Sequence, residues 1–265
     1  MINTCAQVAM LIVFGAIPIV AQDTFQLAPP YLHCKSVFFE KPAQVKLEFA
    51  QAGTQIHYTV NGKIPTQNDP DYKGPIRIKK NHTTLKAKVF GAGFFPSEPV
   101  EATFFKQGLE IKSIGTTLPH KQYPGSGKFT LIDGLGGIES HGSKTWMGFQ
   151  SDTVIIILNL AKTQKVKQAM FHFLQNQGAW IFLPQKVEVY ALKTNSKEWT
   201  LLGQKTVNVA DGMEKSRCRD LFVDLEKQES ISQVILKIYP LAKLPEWHAG
   251  KGNPAWLFID EVKLY

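Results

Sequence analysis

Two neighbouring carboxylates near the C-terminus are the side chains of this sequence that look most like catalytic groups. Asp260 and Glu261 are adjacent, and glycoside hydrolysis uses a pair of Asp or Glu side chains that flank the scissile bond. The segment around them is predicted to be a strand, in which successive side chains point to opposite faces. We therefore expect Glu261 to share the face of Leu257 and Ile259. Asp260 would then lie on the other face, so the two carboxylates cannot form a catalytic dyad.

Signatures of other enzyme classes are absent from the sequence. It has no G-x-S-x-G nucleophile motif, no P-loop and no H-E-x-x-H zinc motif. The segment from Gly134 to Gly137 lacks the last glycine of a dinucleotide-binding fingerprint, and the 7 histidines are scattered. We predict that the protein is not an enzyme.

A tryptophan in a polar loop is the residue best suited to bind a ligand. Sugars stack on an aromatic face while polar groups reach their hydroxyls, and pockets generally pair an apolar wall with a few polar groups. Trp180 ends a polar, glycine-containing loop that starts at Gln175, and a second loop contains His248 and Asn253. We predict that Trp180 is the stacking platform and that Gln177, His248 and Asn253 donate or accept hydrogen bonds. The alternative is that Trp180 packs into the core.

Composition and charge describe an ordinary globular chain with a basic balance. The chain has 265 residues, of which 44% are apolar, a net charge of +8 and a pI of about 9.2. A basic balance can indicate nucleic acid binding. The basic clusters are short, however, such as Arg77, Lys79 and Lys80, and no recognition helix or zinc spacing is present. We predict no nucleic acid partner.

Residues 1–22 have the features of a signal peptide. They contain no Lys, Arg, Asp or Glu, and Val8 to Val20 form a mostly apolar run that is followed by the small residue Ala21. The run is too short for a stable membrane span and fits the apolar region and cleavage site of an exported protein. We expect a secreted, periplasmic or cell-surface location. The alternative is a buried N-terminal strand or helix.

The 3 cysteines form no metal or redox motif. Without a C-x-x-C spacing, neither a zinc site nor a thioredoxin-type site is indicated. Cys5 would leave with the signal peptide. Cys34 and Cys218 remain, and they either pair in an oxidising compartment or stay two separate free thiols.

Beyond the signal peptide the pattern is that of β-strands. Short apolar or alternating runs are separated by Gly, Pro, Asn and Asp turns, and no helical stripe occurs. The pair Asn61-Gly62 is typical of a two-residue hairpin, and the apolar run from Val154 to Leu160 predicts a strand that is buried on both faces. We predict an all-β protein with a first unit over residues 24–106, a linker over 107–127 and a second unit over 128–265.

The segment from Ile56 to Thr66 of the first unit has the pattern I-x-Y-T-x-N-G-x-x-P-T, and the segments from Tyr72 to Ile76 and from Leu85 to Ala87 follow it. With these motifs the unit resembles the small C-terminal β-sandwich module of chitobiases and bacterial β-hexosaminidases. In that family the module has no catalytic residues. The resemblance implies a small immunoglobulin-like β-sandwich with a structural role.

The most specific segments of the second unit run from Gly178 to Pro184 and from Trp256 to Glu261. With these segments the unit resembles a discoidin-type (coagulation factor 5/8 C) domain, in the version found at the C-terminus of bacterial family-20 β-hexosaminidases and related fucosidases. The resemblance implies a galactose-binding-like β jelly roll, in which Trp146 is buried beside an Asp-Gly loop. Trp199 and Trp256 are also expected in the core.

The same resemblance implies a structural calcium ion. In the family an early Asp-Gly loop and a Glu on the last strand hold it, and these map to Asp133 and Glu261. Calcium takes about six to eight oxygen ligands, which two carboxylates and loop carbonyls could supply. The alternative is that Asp133 and Gly134 form only a turn and Glu261 is a surface residue.

The two resemblances together favour a carbohydrate-binding accessory protein without catalysis. A hexosaminidase needs a (β/α)8 barrel of about 250 residues, and two sandwiches leave no room for it. The expected partners are glycans that contain N-acetylhexosamine, galactose or fucose. The alternative is a structural or interaction module, a relic of a β-hexosaminidase or fucosidase C-terminal region without ligand binding.

We predict that the exported protein is cleaved near Ala21, because signal peptides are removed at small residues that follow the apolar region. N-terminal sequencing of protein from the periplasm, cell surface or medium should begin close to Gln22. Cytoplasmic protein that still starts at Met1 would contradict the prediction.

Overall fold

A computed structural model describes residues 25–80, 82–137, 139–192, 198–226 and 230–265. Over these residues the chain forms sixteen β-strands and two short 3-10 helices, which confirms the predicted all-β class. No helix in this part of the chain is long and apolar enough to cross a membrane. The predicted signal peptide and Cys5 lie outside the described residues.

The first unit is a sandwich of two sheets. Its strands are β1 (Tyr31–His33), β2 (Phe38–Phe39), β3 (Ala43–Glu48), β4 (Thr54–Thr59), β5 (Ile76–Ile78), β6 (His82–Gly91) and β7 (Val100–Lys106). One sheet has the order β1-β3-β5 and the other β2-β7-β6-β4. Alternate residues point inward, so Val45 and Leu47 on β3 are buried against Leu85 and Ala87 on β6.

The prediction of a two-residue hairpin at Asn61-Gly62 is wrong. β4 pairs with β6 and not with the next strand β5, which belongs to the other sheet. Gly62 has a φ of 76°, which glycine adopts without strain, and its N–H donates to the carbonyl of Thr84 at 3.0 Å. The turn therefore fixes a long connection to β6 instead of joining two neighbouring strands.

The second unit is a jelly-roll sandwich. Its strands are β8 (Ile111–Thr116), β9 (Met147–Phe149), β10 (Val154–Lys165), β11 (Gln168–Gln175), β12 (Lys186–Leu192), β13 (Trp199–Thr206), β14 (Arg217–Asp224), β15 (Ser230–Tyr239) and β16 (Leu257–Leu264). One antiparallel sheet has the order β13-β12-β15-β10-β8, and the other β14-β11-β16-β9. The inward residues of both sheets form the largest apolar core of the protein.

Two features of this unit differ from the sequence-based expectation. β8 lies within the stretch predicted as a linker and pairs with β10 at the edge of the five-stranded sheet. The prediction that β10 is buried on both faces is wrong. Ile156 and Leu158 face the core, but Ile155 is 38% exposed, because this sheet packs against the other sheet on one face only.

The two sandwiches share a buried apolar contact. Phe38 and Phe105 of the first unit pack against Met170 and Phe222 of the second, and the rings of Phe105 and Phe222 are 6.1 Å apart. The hydroxyl of Tyr265 adds a hydrogen bond to the carbonyl of Lys106 at 2.8 Å. Since each unit buries side chains of the other, we expect them to unfold together.

We predict that Phe38→Ala lowers the free energy of unfolding by about 3–5 kcal/mol, because the buried ring leaves a cavity between the sandwiches. Urea denaturation followed by tryptophan fluorescence measures the change, and the 5 tryptophans all lie in the second unit. The exposed Phe25 provides the control, since Phe25→Ala should change stability by less than about 0.5 kcal/mol. If Phe38→Ala and wild type have the same urea midpoint in the fluorescence transition, the shared contact is contradicted.

Candidate functional site

β16 contains a β-bulge at the predicted carboxylate pair. Glu261 lies opposite His172 on β11, but Ile259 lies opposite Phe173, the very next residue of that strand. Asp260 is therefore an extra residue, and the alternation of side chains shifts by one position beyond it. The prediction that Glu261 shares the face of Leu257 and Ile259 while Asp260 lies on the other face is wrong, because it assumed a strand without a bulge.

Both carboxylates bind the same glycine-containing loop. Oε2 of Glu261 accepts a hydrogen bond from the N–H of Gly134 at 2.8 Å, and Oδ2 of Asp260 accepts one from the N–H of Gly137. The other oxygen of Asp260 lies 2.6 Å from Nδ1 of His172. Both carboxylates are fully buried. Their oxygens are bound to internal donors, so the pair holds the loop and is not open to a substrate.

His172 is the buried side chain that lies beneath this loop. Its ring stacks on buried Trp146, with centroids 5.6 Å apart, and a Cβ at Gly137 would collide with that indole. Burial by itself lowers the pKa of His172, but the carboxylates of Asp260 and Asp220 raise this pKa well above its usual value. The structure confirms the expected burial of Trp146 beside the loop.

The residues predicted to bind calcium come close together, but their contacts do not fit a calcium site. Oε1 of Glu261 lies 3.0 Å from the ammonium group of Lys263, and its other oxygen accepts from Gly134. Oδ1 of Asp133 accepts from the N–H of Leu135 at 2.8 Å. Donors thus surround Glu261 where calcium would need oxygen ligands. Calcium at Asp133 and Glu261 stays a prediction of the resemblance, and these contacts do not favour it.

The predicted sugar-binding loops lie together at one end of the second sandwich. The 3-10 helix Gln177–Ala179 ends at Trp180, whose φ of 66° is the one positive value at a non-glycine residue in the described ranges. The N–H of Trp180 donates to the carbonyl of Gln177 at 2.9 Å, and its carbonyl accepts from the N–H of Trp256 at 2.8 Å. Trp180 is 37% exposed, whereas Ile181 is buried. The indole is therefore not a core residue.

A second loop supports the indole of Trp180 from below. A Cβ at Gly250 would lie 2.8 Å from Cζ2 of Trp180, so glycine permits the close approach. His248 meets the indole edge-on at 6.3 Å, and its Nε2 donates to the carbonyl of Gln177 at 2.8 Å. Nδ1 of His248 accepts from the N–H of Gly250 at 3.0 Å. The two loops are thus tied to each other under the platform.

The four predicted binding residues differ in how much they can reach a ligand. Gln177 and His248 are buried, and Oε1 of Gln177 accepts from the N–H of Glu214 at 2.5 Å. Asn253 is exposed, and its Nδ2 donates to the carbonyl of Gly250 at 3.0 Å. The structure therefore brings all four residues to one loop end but leaves Trp180 and Asn253 open to solvent. Their role in binding stays a prediction.

The structure also bears on the expectations for Trp199, for Trp256 and for the cysteine pair. The prediction that Trp199 belongs to the core is wrong, since it is 37% exposed on the edge strand β13. Trp256 is half-buried. Cys34 and Cys218 are free thiols, so the disulfide alternative is not formed.

Sequence reasoning missed the polar residues of the outer sheet face, namely the buried His172 and Lys263 and the half-buried Asp220. The one signal in the sequence was a polar residue inside an otherwise apolar strand, as in Phe171-His172-Phe173. That signal alone indicates solvent exposure as readily as burial, because it contains no information about the first sandwich that covers the face.

Comparison with a family of known domains identifies part of the first sandwich. Residues 35–101 match the family model described as the chitobiase/β-hexosaminidase C-terminal domain. The match confirms the resemblance predicted for the first unit. No curated protein matches the chain.

Solved structures resemble the chain at low sequence identity. A GH29 fucosidase of Ruminococcus gnavus in complex with fucose is 14% identical over 58% of this chain and 25% of its own, with a TM-score of 0.35. The family 32 carbohydrate-binding module from EndoD of Streptococcus pneumoniae is 14% identical over 60% of this chain and 99% of its own, with a TM-score of 0.41. A SusE-like protein is 12% identical over 88% of this chain and 95% of its own, with a TM-score of 0.37. The chain spans about a quarter of the fucosidase.

We predict that the protein is more stable at about pH 5 than at about pH 8. Burial raises the pKa of Glu261 to about 7 from 4.5, so its ionisation in the folded state opposes folding as the pH rises through this window. The raised pKa of His172 acts in the same direction, because its protonated form is lost as pH rises. Glu261 alone should lower the free energy of unfolding by on the order of 3 kcal/mol as the pH rises through this window.

Urea denaturation across this pH range measures the effect. Glu261→Gln should remove much of the slope between about pH 5 and 7, whereas Glu246→Gln should keep it because Glu246 is 90% exposed. A wild-type protein whose stability rises between these pH values would show that the buried network does not titrate as described.

Proposed function

We propose that this chain is an exported, non-catalytic accessory protein that binds glycans at the loop end carrying Trp180. The observation that supports the proposal is an indole 37% exposed on a residue with a left-handed backbone. Such a backbone conformation at a non-glycine residue costs free energy and persists where the surroundings hold it, often at binding sites. An exposed aromatic face held in this way suits stacking against a sugar ring.

The platform is positioned before a ligand arrives. Asn176 caps the short helix through the N–H of Ala179, and both backbone groups of Trp180 are hydrogen-bonded. Gly250 and His248 pack against the indole. Because little freedom remains to be lost, a weak stacking contact suffices for measurable binding.

We assign the direct sugar contacts to Trp180 and Asn253, and a supporting role to Gln177 and His248. Both Gln177 and His248 are buried, and their polar atoms bind the two loops to each other. The amide nitrogen of Asn253 donates to the carbonyl of Gly250, which packs against the indole of Trp180, and we expect the side-chain oxygen of Asn253 to accept from a sugar hydroxyl.

A non-catalytic role is supported by the burial and the contacts of the carboxylate pair. Asp260 and Glu261 are fully buried and bound to the loop, His172 and Lys263. The match of residues 35–101 to a C-terminal domain of chitobiases and β-hexosaminidases fits an accessory position in glycan metabolism.

An interaction module is the second candidate, and one observation favours it. Beneath the loop end, an apolar cluster fills the space between the loops, formed by Phe182, Leu241, Leu244 and Ala255 with Trp247 against it. The site is therefore a surface with one aromatic platform and not a deep pocket. A surface of this kind could also contact a protein.

We predict that Trp180→Ala lowers glycan affinity by roughly tenfold or more, about 1.4 kcal/mol, because the stacking face is removed. Glycans that end in N-acetylhexosamine, galactose or fucose are titrated against wild type and variant by isothermal titration calorimetry. Trp199→Ala is the matched control, because Trp199 has the same exposed fraction but lies on the edge strand β13.

Retained binding in a folded Trp180→Ala variant would show that the sugar is bound elsewhere. Loss of affinity in Trp199→Ala would show the same. If wild type binds none of these glycans, the interaction-module candidate takes precedence.

A further inference from the structure

Exposed basic side chains collect at one end of the three-stranded sheet of the first sandwich. β3 and β5 are antiparallel, with Ala43 opposite Ile78. The residues just before β3 therefore lie beside the residues just after β5. This places Lys41 next to Lys79 and Lys80, and all three lysines are exposed. The cluster joins two segments that are distant in the sequence.

Two more cations continue the cluster along the outer face of the same sheet. The chain neighbours of Lys46 and of Arg77 are buried in the core of the sandwich, whereas Lys46 and Arg77 themselves are exposed. Gln44 lies directly opposite Arg77 and two residues before Lys46. The two cations are therefore diagonal neighbours on one face, with Cβ atoms about 7–8 Å apart.

The positive charge of this face is not compensated within the described part of the chain. None of the five basic side chains takes part in an ion pair or hydrogen bond there. Residues 40–48 and 75–80 contain two carboxylates, Glu40 and Glu48. Glu48 lies 3.2 Å from Nε2 of His33. Five cations against two carboxylates leave an excess of three positive charges, which attracts a negatively charged partner.

An exposed aromatic ring borders these cations. Tyr31 is 76% exposed on β1, and its ring stacks on His33 with centroids 6.1 Å apart. His33 lies directly opposite Lys46 in the sheet. The outer face thus combines an aromatic surface with separated positive charges, and Gln44 adds an exposed amide between them.

We infer that this face binds an acidic polysaccharide, whose carboxylate or sulfate groups pair with Lys46, Arg77 and the lysines at the end of the sheet. A polymer that repeats its negative charge can reach several separated cations, whereas one small anion cannot. Tyr31 stacks against a sugar ring of the same chain. The choice of a polysaccharide over another polyanion rests on the proposed function. The site lies on the first sandwich, whereas Trp180 lies on the second.

Binding of the full chain to polygalacturonate and to dextran sulfate at about pH 7 tests the inference, by biolayer interferometry. Uncharged dextran and single-stranded DNA are the comparison ligands. All measurements use the Trp180→Ala background. We expect an acidic polysaccharide to bind, and both comparison ligands to bind roughly tenfold more weakly or not at all. Affinity should fall roughly tenfold or more between about 50 and 300 mM salt, because salt screens exposed charges. The tighter of the two acidic ligands identifies carboxylate or sulfate as the preferred group.

Variants locate the site. Lys46→Glu with Arg77→Glu should weaken binding roughly tenfold or more, and Tyr31→Ala severalfold. The matched control is Lys112→Glu with Lys205→Glu, which changes the net charge equally at two exposed lysines of the second sandwich. It should change affinity by less than about twofold.

Four results would overturn the inference. They are absence of binding to both acidic polysaccharides, binding of dextran or DNA that is as tight, equal loss of affinity in the two charge-reversed proteins, and full affinity in folded Tyr31→Ala. Each would leave the glycan site at Trp180 untouched, because that platform is removed in this background.

Discussion

The extra residue Asp260 in β16 is the constraint on which the outer face of the second sandwich depends. An unbroken strand would turn either Asp260 or Glu261 into the apolar core, where an unpaired charge costs several kcal/mol. The bulge lets both carboxylates reach one loop, where they bind the N–H groups of Gly134 and Gly137. The loop is thereby closed over His172 and Trp146, and both oxygens of each carboxylate have a partner.

The same network connects the two sandwiches. Lys263 neutralises Glu261 and lies 4.6 Å from the ring centroid of Phe38 on the first unit. Phe38 also meets His172 edge-on at 5.9 Å. Because buried charges need specific partners, this interface has a defined geometry and not merely apolar contact.

The sequence was informative for strands with a regular alternation of residues, although the local pattern at Asn61-Gly62 did not give the predicted hairpin. Period-two runs such as Val45 to Phe49 identified strands, and of the two alternatives left open for Trp180 the structure shows the exposed one. Contacts distant in sequence were not accessible. The bulge at Asp260 is a property of pairing with β11, and the burial of Gln177 and His248 results from two loops that meet only in the folded chain. Register and burial of this kind are set by tertiary packing and not by composition.

The most direct test of the central claim is an NMR titration that follows the indole N–H signals of the 5 tryptophans as a glycan is added. The account predicts that the Trp180 signal shifts in a saturable manner, while the Trp199 signal stays in place because that residue lies on the edge strand away from the loops. A glycan that binds and shifts Trp199 but not Trp180, or that shifts neither, would contradict a binding site at this loop end.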